Sequence, residues 1–192
     1  MRKSIVGIVA VSLFFLLSVA SQASAQGSNA SPTFQGPLLI TSAGQSPDGQ
    51  LAAILARRAG IEHTLSQMAT VEELAGAGSL GIVVGASLKG LGAAGIDTAK
   101  EKERVRELLT EAARRNIPVL FFHLGGEQRR GQLTDEMIVE YLPDSQWALI
   151  LKSGNHDGLF TRIAREASVP LFEVERTADG QEILKAAFQP TG

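Results

Sequence analysis

The sequence contains no cysteine. That excludes a disulfide framework, thiol nucleophiles and cysteine-ligated metals, so packing alone must hold the fold together. Positive charge is also short. Residues 1–25 hold two of the 18 basic residues and none of the 20 acidic ones, leaving 16 against 20, a net charge of −4, in the remainder. A domain with that balance has no electrostatic footprint for nucleic acid. There is no internal repeat, and only one long apolar run.

That run lies at the start. Arg2 and Lys3 precede Ser4–Ala20, which carries Val11, Leu13, Phe14, Phe15, Leu16 and Leu17, and Ala23-Ser24-Ala25 has the small-residue form that signal peptidase accepts. Seventeen residues sit at the lower limit for a membrane span. The reading is therefore a signal peptide over 1–25, cleaved before Gln26, with no stable membrane insertion afterwards and a periplasmic or secreted location. Residues 26–36, rich in Gly, Ser, Asn, Pro and Gln, read as a flexible tether. Residues 37–192 are long enough for one domain with a real core.

From residue 37, apolar runs alternate with amphipathic stretches. Strands are expected from Pro37 to Ser42, Ile61 to Leu65, Leu80 to Gly85, Pro118 to His123, Trp147 to Leu151 and Leu171 to Glu175. The run Leu80-Gly81-Ile82-Val83-Val84 is apolar without alternation, as in a strand covered on both faces. Asp48 is placed as the cap of a first helix stopped by Gly60, and Thr70-Val71-Glu72-Glu73 as a capping box. Ala86–Ile96 reads as a long small-residue loop. Asp97 opens the best helix, with Val105, Leu108, Leu109 and Ala112 as its apolar stripe and Glu101, Glu103, Arg104, Arg106 and Glu107 as its solvated face. Helices are also expected near Thr134–Tyr141, up to Ala167, and over Gln181–Phe188. This alternation implies a three-layer α/β fold with a mainly parallel sheet of five or six strands, in flavodoxin-like or Rossmann-like order, with the second and last strands at the edges.

In such a sheet ligands bind beyond the carboxyl ends of the strands, where the winding reverses. The candidate ligand-binding residues come from the four strand-end loops: Ser42, Gln45 and Ser46; Ser87, Lys89, Gly90 and Gly92; His123, Gly125, Gly126, Arg129 and Arg130; and Asn155 and Asp157. Three of these loops exceed the usual length of about 2–6 residues. Lys89, Arg129 and Arg130 converging with backbone N–H groups would suit a small anion, a carboxylate or a phosphate. No metal or cofactor is expected.

Gly90-Leu91-Gly92-Ala93-Ala94-Gly95 has the G-x-G-x-x-G form, but four residues separate it from Gly85 and the next strand ends in His123 where an acid is needed. Gly154-Asn155-His156-Asp157 resembles a fragment of the calcineurin-like metallophosphatases over four residues; that family's other segments are missing, and a helix-capping loop explains Asn155 and Asp157. A hydrolase using a rim serine with His123 is the alternative to a binding protein. Against it, Gly85-Ala86-Ser87-Leu88-Lys89 breaks the G-x-S-x-G elbow at its last position.

Residues 37–175 resemble an uncharacterised family of exported bacterial proteins, a domain of unknown function. The resemblance rests on Thr41-Ser42-Ala43-Gly44-Gln45-Ser46, on Gly85-Ala86-Ser87-Leu88-Lys89-Gly90-Leu91-Gly92, and on His123-Leu124-Gly125-Gly126 with Arg129-Arg130-Gly131. It implies an exported location and a shared site, with no activity attached. The function expected is therefore an accessory protein that binds a small anionic molecule, serving a transporter or sensor.

Mass spectrometry of the protein from its native host is expected to find a chain starting within a residue or two of Gln26. A full-length, membrane-embedded chain would overturn the export reading.

Overall fold

The computed structural model describes residues 33–189. The signal peptide expected at 1–25 and the tether up to residue 32 lie outside the described residues. Six strands form one sheet: β1 Leu38–Ala43, β2 His63–Leu65, β3 Ser79–Val84, β4 Val119–His123, β5 Trp147–Leu151 and β6 Leu171–Val174. All neighbours are parallel and the order is β2-β1-β3-β4-β5-β6. This is the flavodoxin-like order extended by one strand; the Rossmann-like alternative is excluded. The winding reverses between β1 and β3.

The six helices are α1 Gly49–Arg58, α2 Leu88–Ala93, α3 Thr98–Arg114, α4 Gln132–Tyr141, α5 Leu159–Ala167 and α6 Gly180–Ala187. Alternate strand residues feed two cores. Leu80, Ile82, Val84, Phe121 and Ile150 meet α3, α4 and α5 on one face. Leu38, Ile40, Val83, Phe122, Trp147 and Leu149 meet α1 and α6 on the other. Strands buried on both faces can read as continuous apolar runs because neither side meets water. The outer strands β2 and β6 are only partly buried, as the polar composition of the first and the alternation expected of the second imply. No helix among the described residues is long and apolar enough to cross a membrane.

The core begins earlier than expected. Phe34, read as part of the tether, is buried against Trp147 and Phe188, and its N–H donates to the Ala187 carbonyl at 2.8 Å. An isolated aromatic in a polar stretch had a place to pack.

Other local corrections have local causes. The segment read as the loop Ala86–Ile96 contains α2, because the Ser87 hydroxyl caps it by accepting from the Gly90 N–H at 3.1 Å and Leu91 anchors it in the interior. Asp97 caps α3 as expected, accepting from the Lys100 N–H at 2.8 Å. Asp48 precedes α1 without capping it through its side chain, which turns towards the end of the sheet. Thr70–Glu73 makes half of a capping box: Glu73 accepts from the Thr70 N–H at 2.9 Å, and only a short 3-10 turn follows.

Helix propensity favours alanine over glycine at position 90 by about 1 kcal/mol. A Cβ there would stand 1.9 Å from the Gln45 carbonyl oxygen, because α2 docks its backbone directly on the loop after β1. Overpacking costs about 1–3 kcal/mol, so the steric effect wins. Gly90→Ala is expected to lower stability in chemical denaturation; a stabilised variant would show that α2 does not press on Gln45.

Candidate functional site

The strand ends meet at one edge of the sheet, and the chain closes much of that edge on itself. Between β1 and β3 the Gly85 N–H donates to the Ala43 carbonyl at 2.9 Å and the Ser87 N–H to the Gly44 carbonyl at 2.8 Å. Gln45 and Ala86 form a bridge across the same gap. The crevice expected at the switch point is therefore filled by backbone.

What holds that loop is a buried carboxylate. Glu101, fully buried on α3, accepts from the Gly44 N–H at 2.8 Å, from Gln45 Nε2 at 3.0 Å and from Nε and Nη2 of Arg104, each at 2.9 Å. Arg104 spends its remaining donors on Thr41 Oγ1 at 3.2 Å, the Ala69 carbonyl at 3.1 Å and the Ser42 carbonyl. All five of its N–H groups are used. Both residues were read as solvated. The signal for burial was in the spacing: Glu101 lies four residues before Val105 and Arg104 four before Leu108, so both prolong the apolar stripe by one turn.

His123 ends β4, fully buried. Nδ1 faces the Val84 carbonyl at 2.9 Å and Nε2 the Gly126 carbonyl at 3.1 Å. A neutral imidazole can donate to only one of them. Burial pushes the ring below its ordinary pKa, opposing the pull of the two carbonyls, and Arg130 adds to the depression. Gly154 lies against the ring, where a Cβ would stand 2.8 Å from Cδ2. Among the described residues no serine hydroxyl bonds to either ring nitrogen. Ser42 instead donates to the Ser46 carbonyl at 3.4 Å, and Ser87 is occupied as a cap. The geometry a serine–histidine pair needs is not assembled.

Arg130 is consumed in the same way as Arg104. It donates to Asp135 at 2.6 and 3.2 Å, to Asp157 at 3.0 and 2.8 Å and to the Gly154 carbonyl, tying the loops after β4 and β5 to the start of α4. This pairing holds the Asp157 carboxyl well below the usual carboxylate range. Asp157 also accepts from the Leu159 N–H at 3.1 Å, and Asn155 from the Phe160 N–H at 3.0 Å, so both cap the start of α5.

Arg129 differs. Its Nε stands 3.3 Å from Asp48 Oδ2, an ionic contact that lacks hydrogen-bond geometry, since that oxygen has no hydrogen-bond partner. Arg129 makes no hydrogen bond among the described residues, and its side chain is 32% exposed. Its stem lies on Gly125, where a Cβ would meet Arg129 Cγ at 1.9 Å and Asp48 Oδ2 at 2.5 Å. The missing side chain at position 125 is what lets Arg129 lie down beside Asp48. Lys89 is exposed on the first turn of α2 and makes no ion pair among the described residues.

Of the expected site residues, the structure thus divides Ser42, Gln45, Ser46, His123, Arg130, Asn155 and Asp157, each engaged within the fold, from Lys89 and Arg129, which keep free donors. Gly90 and Gly92 lie in α2, and Gly125 and Gly126 line the turn under Arg129. Sequence reasoning missed Asp48, because the residue before a helix reads as a cap. A groove of about 760 Å³ lies at the opposite end of the sheet, lined by Leu109, Ala113, Pro118, Val119, Pro143 and Gln146 among others, remote from these groups.

Fold and strand-end chemistry define a flavodoxin-like α/β protein whose loops are tied together by the ion pairs of Arg104 and Arg130. The chain belongs to the family described as a domain of unknown function, DUF6305, whose model matches residues 35–188. No curated protein matches it. Among solved structures, it is similar to a variant of esterase AlinE4, with 14% identity over 79% of this chain and 84% of that one, at a TM-score of 0.30. The SGNH-hydrolase family esterase AlinE4 itself gives 13% identity, 71% and 75% coverage and a TM-score of 0.28. A Schiff base forming fructose-1,6-bisphosphate aldolase gives 14%, 80% and 92%, and 0.30. At these TM-scores the likenesses carry no argument about this chain.

The buried histidine has a pH signature. The folded ring resists a proton that the unfolded ring accepts near its ordinary pKa of about 6.5. The unfolded state then binds more protons, so stability is full above that value and falls as pH drops through it. Thermal melts between pH 7.5 and 5 are expected to show this decline in the wild type and a flatter dependence in His123→Gln. An unchanged slope in the variant would sink the assignment.

Proposed function

We propose that the protein is a non-catalytic binding protein for a small anion, with Arg129 as the principal donor. The observation that carries this is the contrast among three arginines at one edge of the sheet. Arg104 and Arg130 each use all five N–H groups inside the protein, whereas Arg129 keeps both terminal nitrogens without a partner among the described residues. A planar fork of free N–H groups suits the two oxygens of a carboxylate or phosphate. Asp48 stands 3.3 Å from Arg129 Nε, which orients the guanidinium, and the terminal nitrogens make no hydrogen bond among the described residues. Lys89 supplies a second, exposed positive charge. Together with the expected export signal, this describes an accessory protein of the periplasm or the exterior, delivering its ligand to a transporter or sensor.

The test is a thermal-shift series with inorganic phosphate, acetate, citrate and nucleotides. A bound ligand at about 100 times its Kd adds roughly 2.7 kcal/mol, worth several degrees in a domain of this size. At least one anion is expected to give such a shift in the wild type, and Arg129→Gln is expected to lose it, measured against the variant's own ligand-free melting temperature, which falls because Asp48 loses its counter-charge. The reading falls if no anion stabilises the wild type, or if the shift survives in the variant.

A further inference from the structure

Two buried side-chain oxygens lack any hydrogen bond among the described residues: Asp48 Oδ2 and Gln67 Oε1. Both flank the first turn of α1, since a Cβ on Gly49, next to Asp48, would stand 3.0 Å from Gln67 Oε1. The Asp48 side chain is only 9% exposed. A carboxylate oxygen so far from water, with no donor on it, is an expensive arrangement, since the fold has given up hydration without replacing it. The other buried rim carboxylate, Glu101, has a donor on each of its oxygens. Asp48 is therefore the rim carboxylate with an open valence, and it lies beside the arginine with open donors.

Charge balance narrows what can enter. Arg129 and Asp48 already cancel. A simple anion on Arg129 would leave a surplus negative charge beside the buried carboxylate. A ligand that brings one positive and one negative group leaves the pair balanced and fills both valences. We propose that the ligand of this site is a zwitterion of the α-amino acid type, its ammonium group donating to Asp48 Oδ2 and its carboxylate taking the terminal nitrogens of Arg129. This rests on the reading that Arg129 binds an anion. Because the two protein groups touch at 3.3 Å, the two charged groups of the ligand must be near neighbours, which selects α-amino acids over long ω-amino acids.

In the ligand-free protein Arg129 covers Asp48. Its guanidinium must tilt off Oδ2 for an ammonium group to reach that oxygen, a shift that no hydrogen bond opposes and that leaves the stem on Gly125, so the two charged groups stay near neighbours. The exposed end of the side chain has room to move, and Gly125 beneath the stem offers no side chain to obstruct it.

The experiment is calorimetric titration of the wild-type chain with matched pairs that differ only in the ammonium group: alanine and propionate, glutamate and glutarate, phenylalanine and 3-phenylpropionate. 6-Aminohexanoate serves as the long zwitterion. In at least one pair the amino acid is expected to bind about tenfold or more tightly than its deamino partner, the size of one charge-assisted hydrogen bond, and 6-aminohexanoate is expected to gain nothing. Asp48→Asn should reverse the preference, weakening the amino acid and tightening the simple carboxylate, because a neutral neighbour frees the charge of Arg129. Gly125→Ala, whose Cβ would press on both the Arg129 stem and Asp48 Oδ2, should weaken both partners. If the deamino acids bind as tightly as the amino acids in every pair, or if 6-aminohexanoate matches them, the zwitterion assignment is overturned while the anion site stands. If neither these acids nor phosphate binds at all, the anion reading fails and takes this one with it.

Discussion

The buried pair Glu101–Arg104 is the contact on which the working edge of this fold depends. A carboxylate and a guanidinium removed from water must recover their hydration from the protein, and here every donor and acceptor position is filled: backbone N–H of Gly44, the amide of Gln45, the hydroxyl of Thr41 and the carbonyls of Ser42 and Ala69. Such a pair is weak evidence for net stability. What it does is specify geometry. It pins the loop after β1 to α3, holds Gln45 at a positive φ of 57°, and so places the backbone on which α2 docks.

The same device recurs at Arg130, which ties three segments together through Asp135, Asp157 and the Gly154 carbonyl. With the β1 side and the β4–β5 side both locked, the edge is rigid except where its valences are not filled. That exception, Asp48 with Arg129, lies between the two locks. One pair without hydrogen bonds thus stands among charges that are fully engaged.

Much of the architecture was legible in the chain. Apolar runs with β-branched residues marked β1, β3, β4 and β5, and the polar composition of β2 and the alternation of β6 sent them to the edges. The caps Asp97 and Ser87 were visible as residue types, though the second was hidden in a glycine- and alanine-rich stretch that composition reads as loop. The candidate site was half legible. Topology alone put the strand-end loops on one edge, and Arg129 was among the residues named there. Arg130 was equally plausible by type and turned out to be neutralised from within, because Asp135 and Asp157 approach it from separate segments.

The sequence by itself determined the alternation of strands and helices, the order of burial among the strands, and the edge of the sheet to which the strand-end loops run. These follow from local periodicity and the constant direction of parallel strands. Only the tertiary structure decided which charges are spent and which remain available. Charge pairing joins residues as far apart as Thr41 and Arg104 or Asp48 and Arg129, and no local pattern encodes whether a partner 60 or 80 residues away will arrive with its oxygen at hydrogen-bond distance.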